Sequence, residues 1–223
     1  MKKLVRGDAP LCLAQFMHGR DNWSVISNNG LTNEIWAKLH IMQRGFCAYC
    51  ECQLQEDNTK RHIEHFIQKD QNPSMTFDWD NLFGSCKNPN RCGKFKDEDP
   101  EAKKIDLTKV CKPDVMDPSE LILFLNSGKV RAKTTLTPEK KEIADNTIAV
   151  FNLDGDSTLE NSRKAAIAGE KSLADSYWEM LVNDDNDELT ELLETELSEA
   201  LERIKAVQHS TALEHLWVHN EQF

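Results

Sequence analysis

A chain of 223 residues with 39% hydrophobic content can bury one real core or two small ones, and its composition is neither that of a disordered chain nor that of a fibrous one. No apolar run approaches the roughly 20 residues of a membrane span, and the opening MKKLVRGDAPLCLAQFMHGRD has two lysines with no apolar signal-type segment after them, so the expectation is a cytoplasmic protein without a membrane partner. The net charge of −11 argues against a polyanionic partner only at first sight: residues 1–133 carry 20 Lys and Arg against 18 Asp and Glu, whereas residues 134–223 carry 7 against 20. Phosphate affinity follows local basic density, so the first part can meet a nucleic acid while the acidic last part suits a protein neighbour.

In chain order, GLTNEIWAKLHIMQRG predicts a helix capped by Thr32 or Asn33, with Ile35, Trp36, Leu39 and Met42 on one face and Gly45 as its stop. Residues 1–45 are thus a helical lead-in to Cys47. From 46 to 112 the chain is polar and punctuated, with six of the seven cysteines and too little apolar periodicity to fold well unaided. Residues 113–223 are predicted to start with a hairpin around Asn126-Ser127-Gly128 and to continue as helices: one from a Thr137 cap with Pro138 in its first turn, a second after the DGDS turn, and a third. The third carries the stripe Leu189, Leu193, Leu197, Ala200, Ile204 and Val207, expected as bundle core, opposite an acidic face that suits partner docking.

An odd number of cysteines in a reducing compartment points to metal ligands rather than a disulfide framework. Cys47-Ala48-Tyr49-Cys50 is a C-x2-C knuckle that aims two thiolates at one ion, and Cys86 and Cys92, a wider C-x5-C pair, are expected to complete a structural zinc site, with Cys52, Cys111 or His62 as substitutes. Cys12 and Cys111 read as small buried apolar residues. Between the two pairs lie RHIEHF (61–66) and FDWDNLFGSC (77–86). A structural zinc site alone has no need of His62, Glu64, His65 and Asn81 in that loop, whereas phosphodiester hydrolysis needs a base, a hard-cation site and a means of holding both. Trp79, Phe83 and Phe95 read as core beneath the metal, and Asp78 and Asp80 as solvated. His209, His215 and His219 read as exposed helix histidines rather than a second metal site.

The combination of FCAYCE, RHIEHF, DWDNLFGSC and CGKFK resembles the zinc-stapled form of the HNH (ββα-metal) endonuclease motif. With DP at 117, SGKV at 127 and TIAVFNLDGDSTLENSRKAAI at 147, it is similar more closely to the retron- and Septu-associated HNH proteins called PtuB, over residues 36 to 167 or so. The resemblance implies a mainly helical fold with a small zinc-stapled ββα-metal core, a short β-hairpin and a helical C-terminal region. It implies an endonuclease acting on DNA or RNA, transfer RNA among the options, as an effector of antiviral defence. A PtuA-type ATPase is the implied partner, joined in retron systems by a reverse transcriptase and its multicopy single-stranded DNA.

By the same resemblance His65 is the general base, Glu64 the acid that binds a catalytic Mg2+ or Mn2+, Asn81 the asparagine that pins the loop or orients His65, and Lys96, with Lys94, a phosphate contact. The motif places Asn or His after the last cysteine as a metal ligand, and this chain has Gly93 there, leaving Asn88, Asn90 and a water as alternatives. Ideal strand alternation puts Glu64 and His65 on opposite faces, so a strand end or bulge is expected to turn both inward, and His62 stands as an alternative base or substrate contact. The competing reading is a zinc-dependent module that binds protein or nucleic acid without cutting it.

Overall fold

The structure, a computed structural model, describes residues 1–28, 30–182 and 187–219. After a short α1 (Ser24–Asn28), α2 (Thr32–Gln43) buries Ile35, Trp36, Leu39 and Met42, the face its spacing predicts. Its N-cap is Leu31, without a side-chain cap: the chain enters through a turn at Gly30 that brings Thr32 and Asn33, the expected caps, inside the first turn. The helix stops where Gly45 predicted, with Arg44 (φ 55°) and Gly45 (φ 80°) both left-handed.

The last helical residue, Gln43, locks α2 to the sheet behind it. Its amide donates to the carbonyls of Phe46 (2.7 Å) and Gly84 (2.8 Å) and accepts from the Gly84 N–H (2.7 Å). The approach is so close that a Cβ at Gly84 would lie 2.9 Å from the Trp36 ring, so only glycine fits.

That sheet is β1 (Arg61–His65) paired antiparallel with β2 (Leu82–Cys86), in regular register from Arg61↔Cys86 to His65↔Leu82. The helix α3 (Cys92–Glu98) follows directly and packs on β2. A second antiparallel pair, β3 (Ile122–Phe124) and β4 (Val130–Ala132), turns through Leu125–Lys129 with Gly128 left-handed (φ 87°), as the Asn-Ser-Gly signal predicts. Thr137 caps α4 (Pro138–Val150) by accepting from Lys140 N, and α5 (Ser157–Val182), α6 (Asp187–Ile204) and α7 (Ser210–Val218) complete a mostly helical molecule. On α6, Leu193, Ala200 and Ile204 are buried and Leu197 partly so, while Val207 beyond its end is exposed; the side chain of Leu189 lies outside the described residues. No described helix is long and apolar enough to cross a membrane.

The expected divisions near residues 46 and 112 do not separate cores. One apolar cluster runs from Met1 to Trp217. Tyr49 in the cysteine knuckle stacks on Phe151 (centroids 3.9 Å apart), whose carbonyl accepts from Cys92 N (2.9 Å), and Arg91 pairs with Asp156 at 2.5 Å.

The histidines of the last segment require a correction. His209 and His215 are buried, not exposed, because α7 packs against β3, α5 and α6 instead of lying on the surface. His209 Nδ1 meets the Cys50 carbonyl (3.1 Å) and its Nε2 meets Ser162 Oγ (2.8 Å), while His215 Nδ1 accepts from Phe124 N (3.1 Å). Burial, reinforced by His219 and Lys133, lowers the His215 pKa from 6.5 to about 3. The unfolded chain therefore binds a proton between these values that the folded chain excludes, and stability is full above pH 6.5 and falls as pH drops toward 3, at about 1.4 kcal/mol per pH unit. Denaturant titrations near pH 7 and pH 5 should show wild type losing roughly 2 kcal/mol more than His215→Gln; equal losses would mean the ring is protonated in the fold.

Candidate metal centre and the adjoining acid-base site

Four buried cysteines, 47, 50, 86 and 92, bring their sulfurs within 4.8 Å of one another, and they are the set expected from the sequence. Cys50 Sγ and Cys86 Sγ are 3.8 Å apart. A tetrahedral zinc with bonds of about 2.3 Å separates its sulfurs by about 3.8 Å, so the residues fit such an ion. Three elements meet here: the knuckle after α2, the end of β2 and the first residue of α3. The backbone is left-handed at Glu51 (φ 60°), directly after the knuckle, and at Cys92 (φ 59°), and Cys86 N donates to Cys47 Sγ at 3.4 Å. Hydrogen bonds from Cys47, Cys52, Cys86 and Cys92 pull the Cys50 thiol well below its ordinary pKa, while hydrogen bonds push Cys86 up and burial pushes Cys92 up, so the network favours a single thiolate at Cys50. Among the expected substitutes, Cys52 lies just outside the set against His209 and Arg91, and Cys111 is buried elsewhere, bonded through its backbone to Thr147. Cys12 is buried as expected.

Beside this cluster the strand β1 lays out His62, Glu64 and His65. The register has no bulge, so alternation holds: His62 and Glu64 share a face, with His62 Nε2 3.0 Å from Glu64 Oε2, and His65, the last strand residue, points to the other side. Being at the strand end lets His65 border the same cleft of about 540 Å3 as Glu64, together with His62, Gln68, Lys69, Lys87, Lys94 and Asp97. His65 is 5% exposed, with its ring edge-on to Trp23 at 4.5 Å. Its Nε2 lies 3.0 Å from the Thr76 carbonyl, which only accepts, so Nε2 carries the proton and Nδ1 keeps the lone pair. Burial, then Lys69, lowers its pKa to about 4, leaving the ring neutral near pH 7.

Asn81 fastens the 66–81 connection that carries Thr76. Its Oδ1 accepts from Ile67 N (2.8 Å), and its Nδ2 donates to the carbonyls of Ile67 (2.9 Å) and Met75 (3.2 Å). Trp79 and Phe83 are buried and Phe95 is packed partly against the core, as expected of core residues.

Lys96 departs from expectation. It is 2% exposed and pairs with Glu64 Oε1 (2.8 Å) and Asp97 Oδ1 (2.5 Å), donating also to the His65 carbonyl (3.1 Å), so its ammonium neutralises the buried Glu64 and the half-buried Asp97 and is not presented to a phosphate. The reason is helical geometry, which turns the fifth residue of α3 toward β1. Burial would raise the Glu64 carboxyl, but Lys96 and His62 hold it below the usual range. Lys94 borders the cleft and pairs with Glu98 one turn on. Asp97, bonded by Lys96 and by Gln68 (2.7 Å), has its carboxyl pushed up by burial and by Glu64. Sequence reasoning passed over Asp97, Lys69 and the Thr76 carbonyl; for Asp97 the available signal was its place four residues after Gly93, on the same helix face. Asn88 and Asn90 form the turn before α3 and do not line the cleft.

Over 142 residues, 59% of the chain, the sequence is 32% identical to the Septu protein PtuB of Bacillus thuringiensis. The chain spans about half the length of that curated relative, the match covering 52% of it. No protein-family model matches the chain.

Two stability measurements follow from this arrangement. Stripping bound metal with a chelator, or Cys92→Ser, should lower the melting temperature by ten degrees or so, because binding free energy at such a site is folding free energy; an unchanged melt with metal absent would remove the structural role. Lys96→Ala leaves Glu64 buried with only the His62 hydrogen bond and no cation beside it, and should cost about 3–5 kcal/mol in denaturant unfolding. A loss within about 0.5 kcal/mol, the usual surface value, would return Lys96 to the surface.

Proposed function

We propose that this chain is a metal-dependent endonuclease of the HNH type that hydrolyses phosphodiester bonds of DNA or RNA, and that it serves a Septu-type antiviral defence system beside a PtuA-type ATPase. The observation that carries the reading is His65: a neutral imidazole, its tautomer set by the Thr76 carbonyl, at the edge of a cleft that also holds the Glu64 carboxylate. The similarity to Septu protein PtuB supports the defence role. In a retron setting the partners would include a reverse transcriptase and its multicopy single-stranded DNA.

Each residue then has a task set by its surroundings. Nδ1 of His65 accepts a proton from water as the water oxygen bonds to phosphorus and the bond to the leaving oxygen breaks. Asn81 holds the loop that supplies the Thr76 carbonyl, and so holds the ring. Glu64 fits a divalent cation such as Mg2+ or Mn2+, for it is a buried carboxylate with Oε2 turned away from Lys96 and toward His62; when bound, that ion would stabilise charge on the scissile phosphate. Lys69 and Lys87 at the cleft would meet a phosphate backbone, while Lys94 is paired to Glu98 and Asp70 shares the same lining. Zinc at the cysteines would take no part in the reaction and would hold β2 and α3 in place.

Incubating the chain, alone and with its ATPase partner, with plasmid, single-stranded DNA and total transfer RNA in Mg2+ or Mn2+ tests this. His65→Ala should lower cleavage by about 10²- to 10⁴-fold with its circular dichroism unchanged. Equal activity of wild type and variant on every substrate would leave a zinc-dependent interaction module as the reading.

A further inference from the structure

The position after the fourth cysteine has no side chain here, and the space beside it is already filled. A Cβ built on Gly93 would lie 2.2 Å from Glu64 Oε2 and 3.0 Å from His62 Nε2. The first contact excludes any larger residue at 93 unless the carboxylate moves. The second shows which ring has taken the space: an imidazole from the opposite element, two residues before Glu64 on the same face of β1.

We infer that His62 is the second protein ligand of the divalent cation at Glu64, supplied from β1 in place of a side chain at 93, and that it tilts the site toward Mn2+ over Mg2+. The inference rests on the cation-dependent reading of Glu64 given above. Two ligand atoms held at right angles on one ion, each at about 2.1 Å, lie about 3.0 Å apart, and His62 Nε2 and Glu64 Oε2 are 3.0 Å apart. The two oxygens of Glu64 are divided: Oε1 faces Lys96 at 2.8 Å, and Oε2 faces His62. Asp97 and the His65 carbonyl carry the other Lys96 contacts, so a cation at Oε2 need not displace the ammonium.

The two histidines of the segment differ in a way that suits different tasks. The Thr76 carbonyl fixes the proton of His65 on Nε2. In His62, Nε2 donates to the Glu64 carboxylate and Nδ1 has no hydrogen-bond partner, so a proton moved from Nε2 to Nδ1 frees Nε2 to face a cation. The His62 side chain is 21% exposed against 1% for Glu64, which places its ring between the buried carboxylate and the open cleft. An imidazole nitrogen beside a carboxylate oxygen suits first-row transition ions, while Mg2+ prefers oxygen and keeps its waters.

The experiment is Mn2+ titration of the zinc-loaded full chain, followed by electron paramagnetic resonance with detection of nitrogen-14 coupling. Wild type should bind one Mn2+ with an imidazole-type nitrogen coupling, more tightly than Mg2+ in competition. His62→Ala, and His62→Gln as a second variant should the first melt early, should lose the coupling and weaken Mn2+ by at least about tenfold, while His65→Ala keeps both. Nitrogen coupling that survives in both His62 variants, or no retained Mn2+ in wild type, overturns the assignment. Bound Mn2+ without nitrogen coupling in a chain that cuts nucleic acid discards His62 and keeps the nuclease. Nitrogen-coupled Mn2+ in a chain that cuts nothing keeps His62 and discards the nuclease.

Discussion

Four sulfurs meeting at one point set the geometry of everything around them. The knuckle after α2, the last residue of β2 and the first of α3 meet at Cys47, Cys50, Cys86 and Cys92, with Tyr49 of the knuckle and Leu82 and Phe83 of β2 buried in the same apolar cluster. From that point β1 is aligned through its pairing with β2, and α3 is directed so that Gly93, Lys96 and Asp97 face the strand carrying His62 and Glu64. Moving the metal cluster would move the carboxylate and both imidazoles with it.

The helices that follow act as a brace on that centre. Phe151 at the end of α4 stacks on Tyr49 and binds Cys92 through its carbonyl. His209 reaches back to the Cys50 carbonyl, and Glu51, left-handed directly after the knuckle, accepts from Ser210 and from the Thr211 N–H of α7. The chain's last third is thus part of the support of the cysteine site, and its acidic side chains face outward from an apolar interior that is continuous with it.

Charge at the site is arranged by burial. A buried carboxylate at Glu64 is tolerable because Lys96 lies beside it, and an imidazole at His65 stays neutral because it is shut away from water beside Lys69. The two titratable groups are thereby held in opposite states near pH 7, one charged and one neutral.

Much of this was legible in the sequence, where the chemistry is local. The cysteine spacings named the four cysteines that come together, because a C-x2-C turn aims two thiols at one point. Helical periodicity named the buried face of α2, and Thr137 and Pro138 named the start of α4, because capping and side-chain spacing act within a few residues. For a straight strand, alternation offers His62 as the face partner of Glu64, the alternative to a strand end or bulge that turns Glu64 and His65 inward together, and the register has no bulge. Tertiary structure alone decided the rest, because it depends on which distant groups meet. Lys96 became the counterion of Glu64 through the rotation of α3 against β1, His209 and His215 became buried through the return of α7 to the knuckle and β3, and His62 came to fill the space beside Gly93 through the pairing of β1 with β2. Sequence fixes a side chain's chemistry and its near neighbours; burial and partner across 30 or 150 residues are set only when the chain has closed on itself.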